Sequence, residues 1–153
     1  MTTIDNRYLF QSGLLVVVLS SVISCTGSMA VDREKPLLLQ AEHVLKENPL
    51  PKNEKAQNLR IFQDDNSTSA LVRVAAGGEI KAHFHKTHNE MVIVISGSGQ
   101  LFINNKWVKI KTGNILVNPL HSVHAVKNTG NNDLVVVSIF TPAMKEPDRH
   151  FVN

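Results

Sequence analysis

Apolar residues in the second half of the chain come in short runs, at 70–76, 91–95, 100–103, 107–111, 115–118, 122–126 and 134–140. These runs are rich in Val and Ile, and each is too short for an ordinary helix, so the pattern predicts β-strands. Turn chemistry separates them: Gly77-Gly78, Gly97-Ser98-Gly99, Asn104-Asn105, Thr112-Gly113-Asn114, Pro119 and Asn131-Asn132-Asp133. Seven such strands with a turn about every ten residues indicate an all-β sandwich or barrel. Upstream, Leu37, Leu38, Ala41, Val44 and Leu45 fit a helical stripe over 36–48, although 37–39 also reads as an edge strand. Asn48-Pro49-Leu50-Pro51 ends that segment, and a polar loop follows.

A third apolar run, 13–23, is shorter than the roughly 20 residues a spanning helix needs. Its length and position fit the apolar region of a secretory signal, with a weak positive flank because Asp5 stands beside Arg7. It ends at Val22-Ile23-Ser24-Cys25, which resembles the lipobox of bacterial lipoproteins, and Cys25 is the only cysteine in the chain. The resemblance implies cleavage before Cys25 and its lipidation. Cleavage after Ser28-Met29-Ala30 and an uncleaved anchor are the alternatives. The expected organisation is a leader at 1–24, a linker and N-terminal extension at 25–58 and one barrel at 59–153. The expected location is extracytoplasmic, in the periplasm or on the outer membrane, with membrane contact only through the lipid. Cleavage before Cys25 would also remove Tyr8, the only tyrosine, and any mechanism that needs a phenol with it.

The 153 residues, 42% hydrophobic and 19% charged, suit one domain. A formal charge of +3 is too mild for a nucleic-acid arm or a polybasic membrane patch. One cysteine excludes a disulfide framework and any multi-thiolate zinc site, leaving histidines and carboxylates as metal ligands. Five of the seven histidines fall between residues 83 and 124. His83 and His85 share a face if their segment is extended, Glu90 follows closely, and His124 lies on a later strand. Three imidazoles and a carboxylate suit a divalent transition metal with positions open for water or substrate.

The glycines around these residues complete a pattern. Gly77-x5-His83-x-His85-x4-Glu90-x6-Gly97 resembles the first motif of the cupin superfamily, and Gly113-x5-Pro119-x-His121-x2-His124-x3-Asn128 resembles the second. The departure is His121, where the family usually has glycine. The resemblance covers roughly residues 60–142 and implies an all-β fold, a single jelly-roll (double-stranded β-helix) barrel with a short N-terminal extension. It implies His83, His85, Glu90 and His124 as ligands of one divalent metal ion, with Mn, Fe, Ni, Co and Zn left unranked. It also implies a homodimer formed through edge strands, for which residues 36–45 are the candidate. Gly77, Gly97 and Gly113 stand at turns where positive φ suits glycine.

Strand parity adds expectations of its own. Glu79 and Lys81 share parity with His83 and His85, so an unbroken strand aims Lys81 into the same cavity. Val92, Val94 and Val126 share parity with Glu90 or His124 and should wall the pocket. Between Asn66 and Asn132, Arg73, Lys81, Lys86, Lys106, Lys109, Lys111 and Lys127 oppose Glu79 and Glu90, a balance of +5 that favours a small anionic ligand unless most of these cations face solvent. His43, His88 and His150 are read as solvent-exposed. Three functions fit: an isomerase or lyase in which the metal polarises a carboxylate or sugar acid while Glu79 or His121 moves a proton, a non-catalytic binding or sensing module, and an iron dioxygenase. No helix-turn-helix pattern accompanies the barrel, which disfavours a cupin transcription factor.

Overall fold

The computed structural model describes residues 36–152, so the leader at 1–24 and Cys25 lie outside the described residues. After helix α1 (Ala41–Glu47), ten strands follow in order: β1 (Ala56–Gln63), β2 (Thr68–Val74), β3 (Glu79–Phe84), β4 (Asn89–Ser96), β5 (Ser98–Ile103), β6 (Lys106–Lys111), β7 (Ile115–Asn118), β8 (His124–Lys127), β9 (Leu134–Thr141) and β10 (His150–Phe151). They form two five-stranded antiparallel sheets, ordered β1-β2-β9-β4-β7 and β10-β3-β8-β5-β6. The two sheets enclose a jelly-roll barrel, the all-β architecture expected from the strand-and-turn pattern.

The apolar runs become strands because both faces of the central ones are covered. Ala70, Val72, Val74, Leu134, Val136 and Phe140 point into the barrel, while Leu71 and Val135 on the opposite face pack against Val44 of α1 and Leu59 of β1. A strand buried on both sides needs no polar alternation, which is why 70–76 and 134–140 read as continuous apolar runs. Helix α1 is seven residues long, with Glu42 in its first turn and Lys46 in its last, each placed to suit the helix dipole. Asn48 closes it by donating from Nδ2 to the Val44 carbonyl at 2.9 Å. Arg73 reaches from β2 to the Asn48 carbonyl (2.9 Å) and to Gln57 Oε1 (2.6 Å), tying the helix end to the sheet.

Two expectations change here. Residues 36–45, offered as a strand for a neighbouring copy, instead place Leu39, Ala41, Val44 and Leu45 against this chain's own sheet, because Val44 and Leu45 fall on one side of a helix; of its large apolar side chains, Leu37 and Leu38 remain exposed. The loop before residue 68 also contains β1, whose mixed composition and bulge between Arg60 and Phe62 hide its alternation.

The motif residues outside the ligands have visible work. Gly77, Gly97 and Gly113 all have positive φ. At Gly97 a side chain would also collide with the Asp133 carbonyl, 2.4 Å from an added Cβ, so glycine is required twice over. Asn128 donates to the carbonyls of Val74 (2.7 Å) and Asn132 (2.8 Å) and accepts from the Gly130 amide (2.9 Å), which joins the end of β8 to the end of β2.

Candidate metal centre

His83 and His124 face each other across the β3–β8 ladder, and His85 follows just beyond β3. Their ring centroids stand 4.2 Å (His83–His124), 5.2 Å (His83–His85) and 5.5 Å (His85–His124) apart. One ring nitrogen from each lies within 4.8 Å of the others, and all three residues are buried. Glu90 enters from β4 in the other sheet, with Oε2 at 3.1 Å from His124 Nε2 and 4.0 Å from His85 Nε2. Three of the expected ligands, His83, His85 and His124, therefore meet at one point, and Glu90 reaches two of them from the other sheet.

Protons decide what that point can hold. The Nδ1 atoms of His83, His85 and His124 lie 2.8, 2.8 and 2.9 Å from the carbonyls of Lys81, Asp148 and Ser122. A carbonyl only accepts, so each Nδ1 carries the hydrogen, and in the neutral ring Nε2 presents a lone pair. His85 Nε2 and His124 Nε2 are buried without a hydrogen-bond partner. His124 Nε2 faces a carboxylate oxygen at 3.1 Å, a pair that a cation, whether a proton on the ring or a metal ion, would satisfy. The donor set of neutral imidazoles and one carboxylate fits a divalent transition metal.

The electrostatics keep the ligands in the required protonation states. Burial, the neighbouring His124 and Arg149 lower His83 to about 4 against the pull of its carbonyl hydrogen bond. Burial also lowers His85, and the Asp148 carbonyl and Glu90 only partly oppose it. Burial alone would raise Glu90, but His124 and hydrogen bonds from Ser138 and Asn118 outweigh it and bring the carboxyl down to about 2. Asn118 supplies its Nδ2 at 3.0 Å. Near neutral pH the site therefore holds neutral His83 and His85 rings and an ionised Glu90.

The metal end opens into a cavity of about 250 Å³. Val92, Val94 and Val126 line it, as parity implied. Glu79 and Lys81 do not. The ladder between β3 and β8 slips between Ile80 and His83, so one extra residue in β3 reverses parity: Ile80 takes the inward position, and Glu79 pairs with Lys127 on the exposed face at 3.9 Å. The catalytic role expected of Glu79 and the substrate contact expected of Lys81 therefore fail.

His121 is exposed and absent from the cavity wall, so the catalytic role expected of it has no geometric basis either. Its φ of +64° keeps the left-handed turn for which the family uses glycine, and its amide donates to the His85 carbonyl at 2.8 Å. Of the two readings of these cations, the solvent-facing one holds for most: Lys81, Lys86, Lys106, Lys111 and Lys127 are exposed and Arg73 lies under α1. Of the cations counted in the sequence, Lys109 alone borders the cavity.

Several contributors were not anticipated. His88, expected in solvent, is 1% exposed, packed on Phe140 with Nε2 at 3.4 Å from Asp148 Oδ2. Burial lowers its pKa, with Asp148 and Glu90 opposing. Asp148 anchors the C-terminal tail: Oδ2 accepts from the amides of Lys86 (2.9 Å) and Thr87 (2.8 Å) and from Thr87 Oγ1 (2.8 Å), and Oδ1 pairs with His150 at 2.9 Å. Those bonds hold the Asp148 carboxyl far below the usual carboxylate range against the effect of burial. Its carbonyl meanwhile orients the His85 ring. Asp148 and His88 form a second cluster with His85, but Oδ2 already accepts three hydrogen bonds, which marks it as a scaffold. Arg149, next in the chain, lines the cavity. Polar spacing in the tail gave no sign of this, since its partners lie about 60 residues upstream.

Comparison with known proteins agrees with the geometry. Residues 70–140 match the family described as Cupin domain. An uncharacterized protein of Methanocaldococcus jannaschii is 22% identical over 117 residues, 76% of this chain and 87% of that one. Among solved structures, an uncharacterized conserved protein with a double-stranded beta-helix domain from Klebsiella pneumoniae superposes with a TM-score of 0.66 at 20% identity, covering 77% of this chain and all of that one. A predicted oxalate decarboxylase from Thermotoga maritima gives a TM-score of 0.54 at 22% identity over 57% of this chain and 80% of that one. Residues 70–140 thus resemble a cupin domain, and the double-stranded β-helix neighbour shares the fold.

Proposed function

We propose, with the cupin superfamily as premise, that this chain is a metal-dependent enzyme of the isomerase or lyase type that acts on a small anionic substrate at the bacterial cell envelope. The observation that carries the reading is His124 Nε2 held 3.1 Å from the Glu90 carboxylate, with His85 Nε2 also buried and unpartnered beside it. His83, His85, His124 and Glu90 would hold a divalent transition metal, which when bound supplies a Lewis acid that polarises a carbonyl or carboxylate oxygen.

The chain's own groups divide the remaining work. The carbonyls of Lys81, Asp148 and Ser122 fix the tautomers and ring orientations of the three histidines. Among the described residues Glu90 is the only carboxylate in the cavity lining, and its depressed pKa suits it to hold a cation and not to donate a proton. The aliphatic wall excludes water and strengthens each electrostatic contact at the metal end. The Thermotoga maritima protein, described as a predicted oxalate decarboxylase, supports lyase chemistry on a carboxylate by fold likeness alone. The envelope location and lipid anchor rest on the apolar run 13–23 ending at Cys25, and a homodimer on the exposed Leu37 and Leu38.

The test is to load the full chain with metal, supply short carboxylic acids in deuterated water, and follow isotope incorporation, product formation and oxygen consumption together. Deuterium entering the substrate, or carbon dioxide leaving it without oxygen uptake, is the expected result. Oxygen uptake would replace the reading with a dioxygenase. A ligand-dependent rise in Tm with no turnover would replace it with a binding module.

A further inference from the structure

Outside its metal end, the cavity offers little for a polar ligand. Val72, Val74, Leu101, Ile103, Leu116 and Val136 line it. Of the polar groups in the same lining, Asn118 Nδ2 and Ser138 are bonded to Glu90 at the metal end, where Asn118 Oδ1 is left unpartnered, and the others, Asn58 and Asn114, are exposed, with Asn114 Oδ1 committed to the Lys111 amide at 2.8 Å. A hydroxyl buried against those aliphatic side chains loses its water without finding a partner, which weakens binding by about tenfold or more.

Two cations line the cavity, and they differ in placement. Both are exposed among the described residues, and Lys109 sits on edge strand β6. Arg149 stands at the metal end, where its charge acts on both His83 and Glu90. Its neighbours hold it there: Asp148 on one side is fixed to the Lys86–Thr87 backbone, and His150 and Phe151 on the other pair with Phe84 and His83. The guanidinium itself makes no hydrogen bond or ion pair within 4.0 Å with any described residue. A guanidinium positioned beside a metal site, with no partner among the described residues, suits a carboxylate.

We infer that Arg149 binds the substrate's carboxylate and that the substrate is a short aliphatic monocarboxylate, its head between Arg149 and the metal end and its alkyl body in the apolar cavity. The inference rests on the metal-centre reading above and narrows it, turning away polyhydroxylated acids. Size sets a further limit: a volume of about 250 Å³ is room for about eight water-sized groups at roughly 30 Å³ each.

Calorimetry on the full chain tests this, first with Mn²⁺ alone and then, on the loaded protein, with isovalerate, with dihydroxybutyrate hydroxylated on its tail carbons, and with isoamyl alcohol. Isovalerate is expected to bind, dihydroxybutyrate about tenfold or more weakly, and isoamyl alcohol without measurable heat. Arg149→Gln is expected to weaken isovalerate about tenfold or more while Mn²⁺ stoichiometry and Tm stay unchanged, and Arg149→Lys to recover part of the loss. Dihydroxybutyrate binding as tightly as isovalerate, no isovalerate binding by the loaded protein, or an unaltered affinity in Arg149→Gln would overturn the inference and leave the metal centre standing. Failure to take up Mn²⁺ or another divalent ion in the first titration would instead remove the metal-centre reading, and this inference with it.

Discussion

Strands β2 and β9 pair over seven consecutive residues without a slip, whereas β3 and β8 pair at only three positions and slip between Ile80 and His83. The regular pair is aliphatic on its inner face and contributes Val74, Leu134 and Phe140, among the most buried side chains of the described residues. The irregular pair carries His83 opposite His124. Regular pairing gives the barrel a stiff wall, and the bulge re-aims one strand so that its ligands turn inward. Stability and chemistry are thus assigned to different ladders of one small fold.

That division predicts effects of different size and kind. The largest loss of stability should come from the regular ladder: Leu134→Ala, at a fully buried position, should cost about 3 to 4 kcal/mol in urea unfolding while metal stoichiometry of the folded protein is unchanged. A variant that also lost its metal would show that the two ladders are not separable. Asp148→Ala should act on both sides of the comparison, because it strands the Lys86 and Thr87 amides and frees the tail that orients His85. It should cost about 2 to 3 kcal/mol and weaken metal binding by about tenfold or more, read from unfolding curves and a chelator competition.

Acid should strike the irregular ladder first. His83 titrates at about 4 in the fold against an ordinary 6.5, and Glu90 at about 2 against 4.5, so the unfolded chain takes up protons before the folded one. The metal-free protein should therefore keep these contributions above about pH 6.5 and lose them progressively, through His83 down to about pH 4 and through Glu90 down to about pH 2. Unfolding free energies that stay flat from pH 7 to pH 4 would contradict this. The smallest effect should come from Lys81→Ala, which sits on the exposed side of the bulge and should shift stability by less than about 0.5 kcal/mol and leave metal and carboxylate binding alone. Lost ligand binding in that variant would mean that β3 presents Lys81 inward after all.

The same contrast explains what could be read from the sequence. The strands of the regular ladder were legible because runs such as Leu71-Val72 and Val135-Val136 are apolar on both faces, and the four ligands were legible because motif spacing survives any local irregularity. Glu79 and Lys81 were misplaced because alternation assumes an unbroken strand, and no residue in 79–84 announces the bulge. β1 was hidden by its mixed composition. His88, Asp148 and Arg149 were hidden by topology, since the tail returns to the metal end across some 60 residues of chain and pairing at that range leaves no local pattern. His121 was legible as a departure, but its meaning lay in the backbone: φ is +64°, and the side chain stays outside the cavity.

The most direct test of the account is elemental analysis of the protein isolated from its native compartment, alongside His124→Ala. The account predicts close to one divalent transition-metal ion per chain in the parent and its loss in the variant, with the variant still folded. Substoichiometric metal that is the same in both proteins would contradict it, leaving the convergence of His83, His85, His124 and Glu90 without its cation.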